Sequence, residues 1–372
     1  MNRLVLIGNG VDIAHGLKTS YADFIHWYWE EWGKRLMRNS DRIISDEFCS
    51  FKLNDIGLGG WYLVRDWYYQ KMGMDVNEFI HRVQNDRDLC EFEITSHFFQ
   101  CINESAETKM WVDIESIYYN LLILIMRNAT IPGLRNYEKL NWELNSLREK
   151  LIVYLKLEEK KKILLHDEIK DKIYRPIKPC DVSVMCRHMQ EDFFSISNIM
   201  LLNFNYTKTP EMYLDGDASI NYIHGKLEDP QSVIFGYGDE LDENYKKLKE
   251  QFDIECMRQI KSIRYLEHDN YHRLLEFIES EPFQAIIMGH SCGNSDRTLL
   301  NTLFEHRNCV SIKPYYYKRP DGTDNYSELT ININRNFTDP TLMRDRVVKK
   351  EYCEPLVPID QNDPIIKDET IN

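Results

Sequence analysis

The stretch RLVLIGNGVD, residues 3–12, decides the fold. Leu4 to Ile7 is a short apolar run bounded by a glycine, the pattern of a buried strand. Asn9 and Gly10 break the run, and a helical pattern comes next. The segment therefore reads as a strand–turn–helix unit. Working outward, five more strand-like runs occur much later in the chain: SNIMLLNFN (197–205), SINYIHG (219–225), SVIFGYG (232–238), FQAIIMGHS (283–291) and CVSIKPYYY (309–317). Helical stretches lie between them, notably 240–280 and 295–307. Short apolar strands alternating with helices imply an α/β fold with a buried parallel sheet, and residues 3–8 supply its first strand.

No strand is expected from Tyr21 to about Asp192. Segments 21–38, 61–72, 112–128 and 141–155 carry apolar residues at helical spacing and are dense in Trp and Tyr. Such faces must be buried, and packing core is their ordinary role. The expected organisation is a nucleotide-binding-type domain built from 1–20 and 193–350, interrupted by an all-helical insertion at 21–192. That insertion is expected to act as a lid over the sheet edge. Residues 351–372 are read as a tail.

Composition narrows the function. The 372 residues are 43% hydrophobic and 28% charged, which is globular. With 46 Lys+Arg against 60 Asp+Glu, the net charge is −14. That balance argues against direct nucleic-acid binding and against a polybasic membrane surface. The nine cysteines are scattered, odd in number and lack a CxxC pair, so neither a disulfide framework nor a zinc ribbon is expected. The longest apolar stretch, Leu121 to Met126, is far below a membrane span, and no signal peptide is read at the start. A cytoplasmic protein is expected.

Four motifs fall at strand ends, where open α/β sheets bind ligands. Gly8, Asn9, Gly10 and Asp12 form a turn suited to a phosphate at a helix start. The dinucleotide fingerprint GxGxxG fails, because its last position is Ile13, and an ordinary dehydrogenase is disfavoured. Asn203 and Asn205 end the second run, and an amide there can hold a ribose hydroxyl or a water. His224, with Gly225 after it, has the chemistry of a general base. Gly289-His290-Ser291-Cys292-Gly293 matches the GxSxG nucleophile elbow, with Asp296 at the next helix start. A serine hydrolase lacks a partner, since the only later histidine, His306, lies on the helix just after the elbow. Ser291 reads better as a phosphate or ribose contact. The carboxylates of Trp111-Val112-Asp113-Ile114-Glu115 do not share a helix face and read as surface acids. No metal spacing is present.

Together these segments resemble the AbiH family of bacterial phage abortive-infection proteins. The resemblance rests on LIGNGVDIAHGLKTSYADF (6–24), WVDIE (111–115), NFNYT (203–207), YIHG (222–225), IFGYGDE (234–240), GHSCGNSD (289–296) and RNFTDPTLMRDRVV (335–348). Val11 and Cys292 depart from the aromatic and aliphatic residues expected there. The AbiH pattern is in turn similar to sirtuin-like NAD-binding domains. The resemblance implies a sirtuin-like Rossmann core, NAD as substrate or ligand, and no metal. It implies Asn205 and His224 as catalytic residues. Gly8, Asn9, Gly10, Asp12, Asn203, Gly289, Ser291 and Asp296 are implied as nucleotide contacts. The zinc-binding cysteines of deacylating sirtuins are absent, which argues against acyl-lysine chemistry. The implied activity is NAD hydrolysis at the nicotinamide–ribose bond, triggered by a phage product or partner protein that the sequence does not name. The alternatives are a non-catalytic nucleotide sensor and a serine hydrolase. The aromatic-rich insertion is compatible with a homo-oligomer.

Overall fold

The computed structural model describes residues 1–38, 43–53, 90–108, 113–134 and 136–358. Eight strands are described: β1 (Asn2–Ile7), β2 (Ile43–Ser45), β3 (Cys49–Leu53), β4 (Cys90–Ile94), β5 (Ile199–Asn203), β6 (Ser219–Tyr222), β7 (Phe283–Met288) and β8 (Cys309–Tyr315). Five of them form one sheet in the order β6-β5-β1-β7-β8, with every pairing parallel. The chain runs outward from β1 to β6 on one side and then returns to place β7 and β8 on the other. The strand order therefore reverses between β1 and β7.

Both faces of this sheet are covered, which is why its strands are apolar throughout. Leu4 and Leu6 of β1 join a core with Leu274, Ile278, Leu299, Leu303 and Ile333 from the helices at 270–280, 297–304 and 326–335. Val5 and Ile7 point the other way, into a core with Val11, Ile169, Ile173 and Tyr213. The two polar residues of β1 are buried and hydrogen-bonded. Asn2 donates to Phe277 O and Ser280 Oγ. Arg3 donates to Ile173 O, Arg175 O and Gln284 Oε1, and burial pushes its pKa down to about 10.

The strand register aligns the ends of the sheet. Ile7 of β1 is level with Asn203 of β5 and with Met288 of β7. Asn203 is level with Tyr222 of β6. Four strands thus end on one line, and Gly8, Phe204, Ile223 and Gly289 leave the sheet side by side.

The described chain divides into two compact units: Met1–Lys18 with Leu155–Lys247 and Gln259 onward, and Thr19–Tyr154 with Leu248–Arg258. The first takes more chain than the expected 193–350. The helix Asp167–Tyr174 places Ile169 and Ile173 on the sheet, so the stretch before 193 belongs with it. Residues 351–358 are also not tail. Leu356 is buried, its N–H donates to Tyr316 O, and its carbonyl accepts from Lys172 Nζ.

The second unit is not all-helical. β2, β3 and β4 form an antiparallel sheet packed with an aromatic core that includes Trp29, Phe48, Phe51, Phe98 and Phe99. Asp46 organises the turn into β3 by accepting from Tyr28 Oη, Trp32 Nε1 and the Phe48 and Cys49 amides. The expected helix at 61–72 lies outside the described residues, as do Trp111 and Val112. Asp113 is the cap of helix Ile114–Met126, accepting from the Ser116 amide and hydroxyl, and Glu115 is buried rather than a surface acid.

One further expectation changes. Residues 232–238 form no strand, only a single bridge between Tyr237 and Ile260. The stretch 240–280 is helical as expected, in several short pieces. Among the described residues no helix is long and apolar enough to cross a membrane.

Ile287 is fully buried in the sheet core, whereas Leu266 is 72% exposed. Ile287→Ala is expected to cost ~2–5 kcal/mol in urea unfolding, from lost transfer energy and the cavity left behind. Leu266→Ala is expected to stay within ~0.5 kcal/mol.

Candidate active site

The turns after β1 and β7 touch backbone to backbone. A Cβ on Gly8 would sit 2.5 Å from His290 Cα, and one on Gly10 would sit 2.7 Å from Gly289 Cα. Gly289 has φ +67, and a Cβ there would come 2.4 Å from the Val11 amide nitrogen. Gly8 N–H donates to Met288 O and Gly10 N–H to Gly289 O. These glycines are therefore needed to join two strand ends. Their two amides are already used.

The loop after β5 is tied to the same place. Asn203 is buried and serves the loop itself, donating to Thr207 O and accepting from the Asn205 amide. Asn205 Nδ2 donates to Gly8 O at 3.1 Å. Thr207 Oγ1 donates to Asp12 Oδ2 at 2.7 Å. Asp12 thus braces the first helix against this loop. Burial pushes its carboxyl pKa up to about 6, against the opposing pull of the Thr209 and Thr207 hydroxyls.

His224 comes just after β6 and is buried. Gly225, at φ +80, allows this: a Cβ there would lie 2.1 Å from Ser232 O. His224 Nε2 lies 3.1 Å from Tyr265 Oη and 3.2 Å from Asp296 Oδ1. The same Asp296 Oδ1 accepts from Lys261 Nζ at 2.8 Å. His290 Nε2 lies 3.6 Å from Asp296 Oδ2, and its Nδ1 accepts from the Cys292 amide. Phe204 packs against both imidazoles, with ring centroids 5.3 Å from His224 and 4.2 Å from His290.

One carboxylate thus collects an ammonium and two imidazoles at the carboxyl edge of the sheet. Burial pushes the His224 pKa down, Lys261 pushes it further, and Asp296 opposes both. Burial alone would raise the Asp296 pKa, but Lys261 and then His224 hold it well below the usual carboxylate range. The cation in this cluster is the Lys261 ammonium. Among the described residues no group of His, Cys, Asp or Glu is arranged to hold a metal ion.

Lys261 is held in place by the segment 232–238, expected to be a strand. Tyr237 N–H donates to Gln259 O, and Lys261 N–H donates to Tyr237 O. Gly236 is required here, because a Cβ would fall 2.0 Å from Gln259 O.

The family profile described as "Bacteriophage abortive infection AbiH" matches residues 4–317. The chain belongs to the AbiH family. No curated protein matches it.

In this AbiH chain the expected site residues divide. Gly8, Gly10, Gly289 and Asn205 come together at the joined turns, and His224 meets Asp296. Asn9 is half-buried at the start of the first helix. Asn203 and Asp12 are bracing residues. Ser291 is exposed, its carbonyl accepts from Asn332 Nδ2, and among the described residues no histidine bonds its hydroxyl. The strained position of the GHSCG turn is buried Cys292, at φ +54, rather than the serine. That arrangement is unlike a nucleophile elbow, where the serine occupies the strained position. Sequence reasoning misses Lys261, Tyr265 and His290. His290 lies inside the quoted motif, but Lys261 and Tyr265 sit in a helical stretch that carries no local signal.

The Asp12 shift gives a pH test. Its native pKa, about 6, lies above the ordinary 3.8, so between these values the native state holds more protons than the unfolded chain. Stability from this group is therefore present below pH 3.8 and is lost as pH rises through 6. Asp12→Asn keeps an acceptor for Thr207 and is expected to gain up to about 3 kcal/mol at pH 7, at ~1.4 kcal/mol per pH unit. At pH 3.5 the gain should vanish. Urea unfolding of both proteins at the two pH values measures this.

Proposed function

We propose that this AbiH protein acts in abortive infection by binding NAD or a related adenine nucleotide at the carboxyl edge of the sheet and hydrolysing the nicotinamide–ribose bond. The observation that carries the reading is His224, buried beside Asp296 and Tyr265 just past the end of β6, which is level with the β5 end that leads to Asn205. Its partner Asp296 follows the turn after β7, beside the β1/β7 reversal of strand order, the place open α/β sheets use for nucleotides. The strand order 3-2-1-4-5 and the glycine turns support a sirtuin-like Rossmann assignment for the core.

His224 suits a base because its environment favours the neutral ring, which can accept a proton. A water gives its proton to His224 and its oxygen to C1′ of the ribose. The C1′–N bond breaks, and its electron pair leaves with nicotinamide, neutralising the pyridinium. The products are ADP-ribose, nicotinamide and one proton, with no oxidant or reductant. Asn205 orients the water and a ribose hydroxyl. Because the Gly8 and Gly10 amides already bond strand ends, we assign the exposed Ser291 hydroxyl to the diphosphate.

A second reading is a nucleotide sensor without chemistry. It is favoured by the depth of His224, which is only 3% exposed. Release of free nicotinamide from NAD by the pure chain, with and without phage lysate, separates the two. In the catalytic case His224→Gln is expected to lower turnover by ~10²–10⁴. Ser291→Ala should raise KM and leave kcat within ~3-fold, because it removes binding shared by ground and transition states. If NAD binds and no nicotinamide appears under either condition, the sensor reading stands.

A further inference from the structure

We propose that Asp296 fixes the tautomer of His224, keeping the ring proton on Nε2 and leaving Nδ1 as the nitrogen that accepts a proton, and that Lys261 anchors Asp296 for this task. The proposal rests on the reading of His224 as a base and makes Asp296 and Lys261 positioning residues rather than nucleotide contacts.

Electrostatics select the tautomer. Nε2 lies 3.2 Å from Asp296 Oδ1. A lone pair on Nε2 would face a carboxylate oxygen inside the protein, whereas an N–H there is attracted to it. Charge-assisted hydrogen bonds are roughly twice as strong as neutral ones, so the carboxylate outweighs Tyr265 Oη at 3.1 Å in choosing the tautomer. Lys261 Nζ, 2.8 Å from the same oxygen, secures both its position and its charge. His290 supplies an internal control. There the Cys292 amide donates to Nδ1, so in the neutral ring the proton must sit on Nε2, the atom that faces Asp296 Oδ2.

The groups around His224 are Tyr265, Asp296, Lys261, His290 and Phe204. With both imidazoles neutral, their charges sum to zero. When His224 takes a proton the cluster becomes +1, and Asp296 is the group placed to stabilise the imidazolium. A carboxylate behind a histidine base does this work in hydrolytic triads.

The test is imidazole nitrogen NMR on the full chain labelled with ¹⁵N-histidine, with the His224 signals assigned by their loss in His224→Gln. At pH 7 the expected pattern for His224 is a protonated Nε2 and an unprotonated Nδ1. A protonated Nδ1 overturns the proposal. This measurement needs no nucleotide, so it succeeds or fails independently of NAD turnover. Asp296→Leu alone strands the buried Lys261 ammonium and can prevent folding, so the double variant Asp296→Leu with Lys261→Met, which leaves no acceptor facing Nε2 from this position, carries the second arm. It is expected to shift the His224 proton toward Nδ1. Where NAD is turned over, it should also lower kcat ~10²-fold or more, with KM little changed. An unchanged His224 tautomer in the folded double variant also overturns the proposal.

Discussion

A methyl group could not be added to Gly8 without meeting His290, nor to Gly289 without meeting the start of the first helix. This contact between two turns is the constraint on which the site depends. β1 and β7 are neighbours, and their ends are level. Their turns can cross only if neither carries a side chain at the crossing. Once they cross, His290 is fixed at the mouth of the sheet. The short turn behind it then sets Asp296 at the start of the helix beginning at Arg297. Asn205, bonded to Gly8 O, ties the third strand end to the same point. The glycines that look like a phosphate cradle are thus first a structural joint.

The second layer is electrostatic and comes from three separate stretches of chain. β6 brings His224, the GHSCG turn brings His290 and Asp296, and the Gly236–Lys261 clamp brings Lys261. Each is placed by backbone hydrogen bonds or by glycine contacts that leave little freedom. Such pre-set geometry is what a catalytic or binding constellation requires, since donors held in advance need no reorganisation when charge develops.

Legibility in the sequence varies with how local the signal is. The parallel sheet is readable because five apolar runs are bounded by turn residues, and each needs only its own sequence to be recognised. Residues 232–238 mislead because Val233 to Phe235 are strand-like, while the two glycines at 236 and 238 set a close approach to Gln259 and Lys261. The partner of that contact lies more than twenty residues away. β4 is easily missed but not hidden: Cys90, Phe92 and Ile94 alternate with Glu91 and Glu93, a period of two that helical reading of the surroundings obscures. Asn205 and His224 are readable as strand-end polar residues. Lys261 is not, because a lysine among helical residues looks solvated until the fold buries it against Asp296.

The buried charges themselves carry the last step. Lys261 and Asp296 are both withdrawn from water. Removing two charges from water costs several kcal/mol each, and their mutual attraction often no more than restores it. An apolar pair of similar volume would hold the same space with no such cost. Stability therefore gives no reason for an ion pair here, at the end of the sheet and in contact with two imidazoles. What the pair supplies and an apolar pair cannot is a fixed negative charge beside His224, accompanied by a positive one that keeps the sum near zero. A field of that kind does little for an inert core and much for a histidine that must exchange a proton. Under the proposed function, the weight of the electrostatic arrangement falls on the proton exchange of His224 rather than on the folding of the chain.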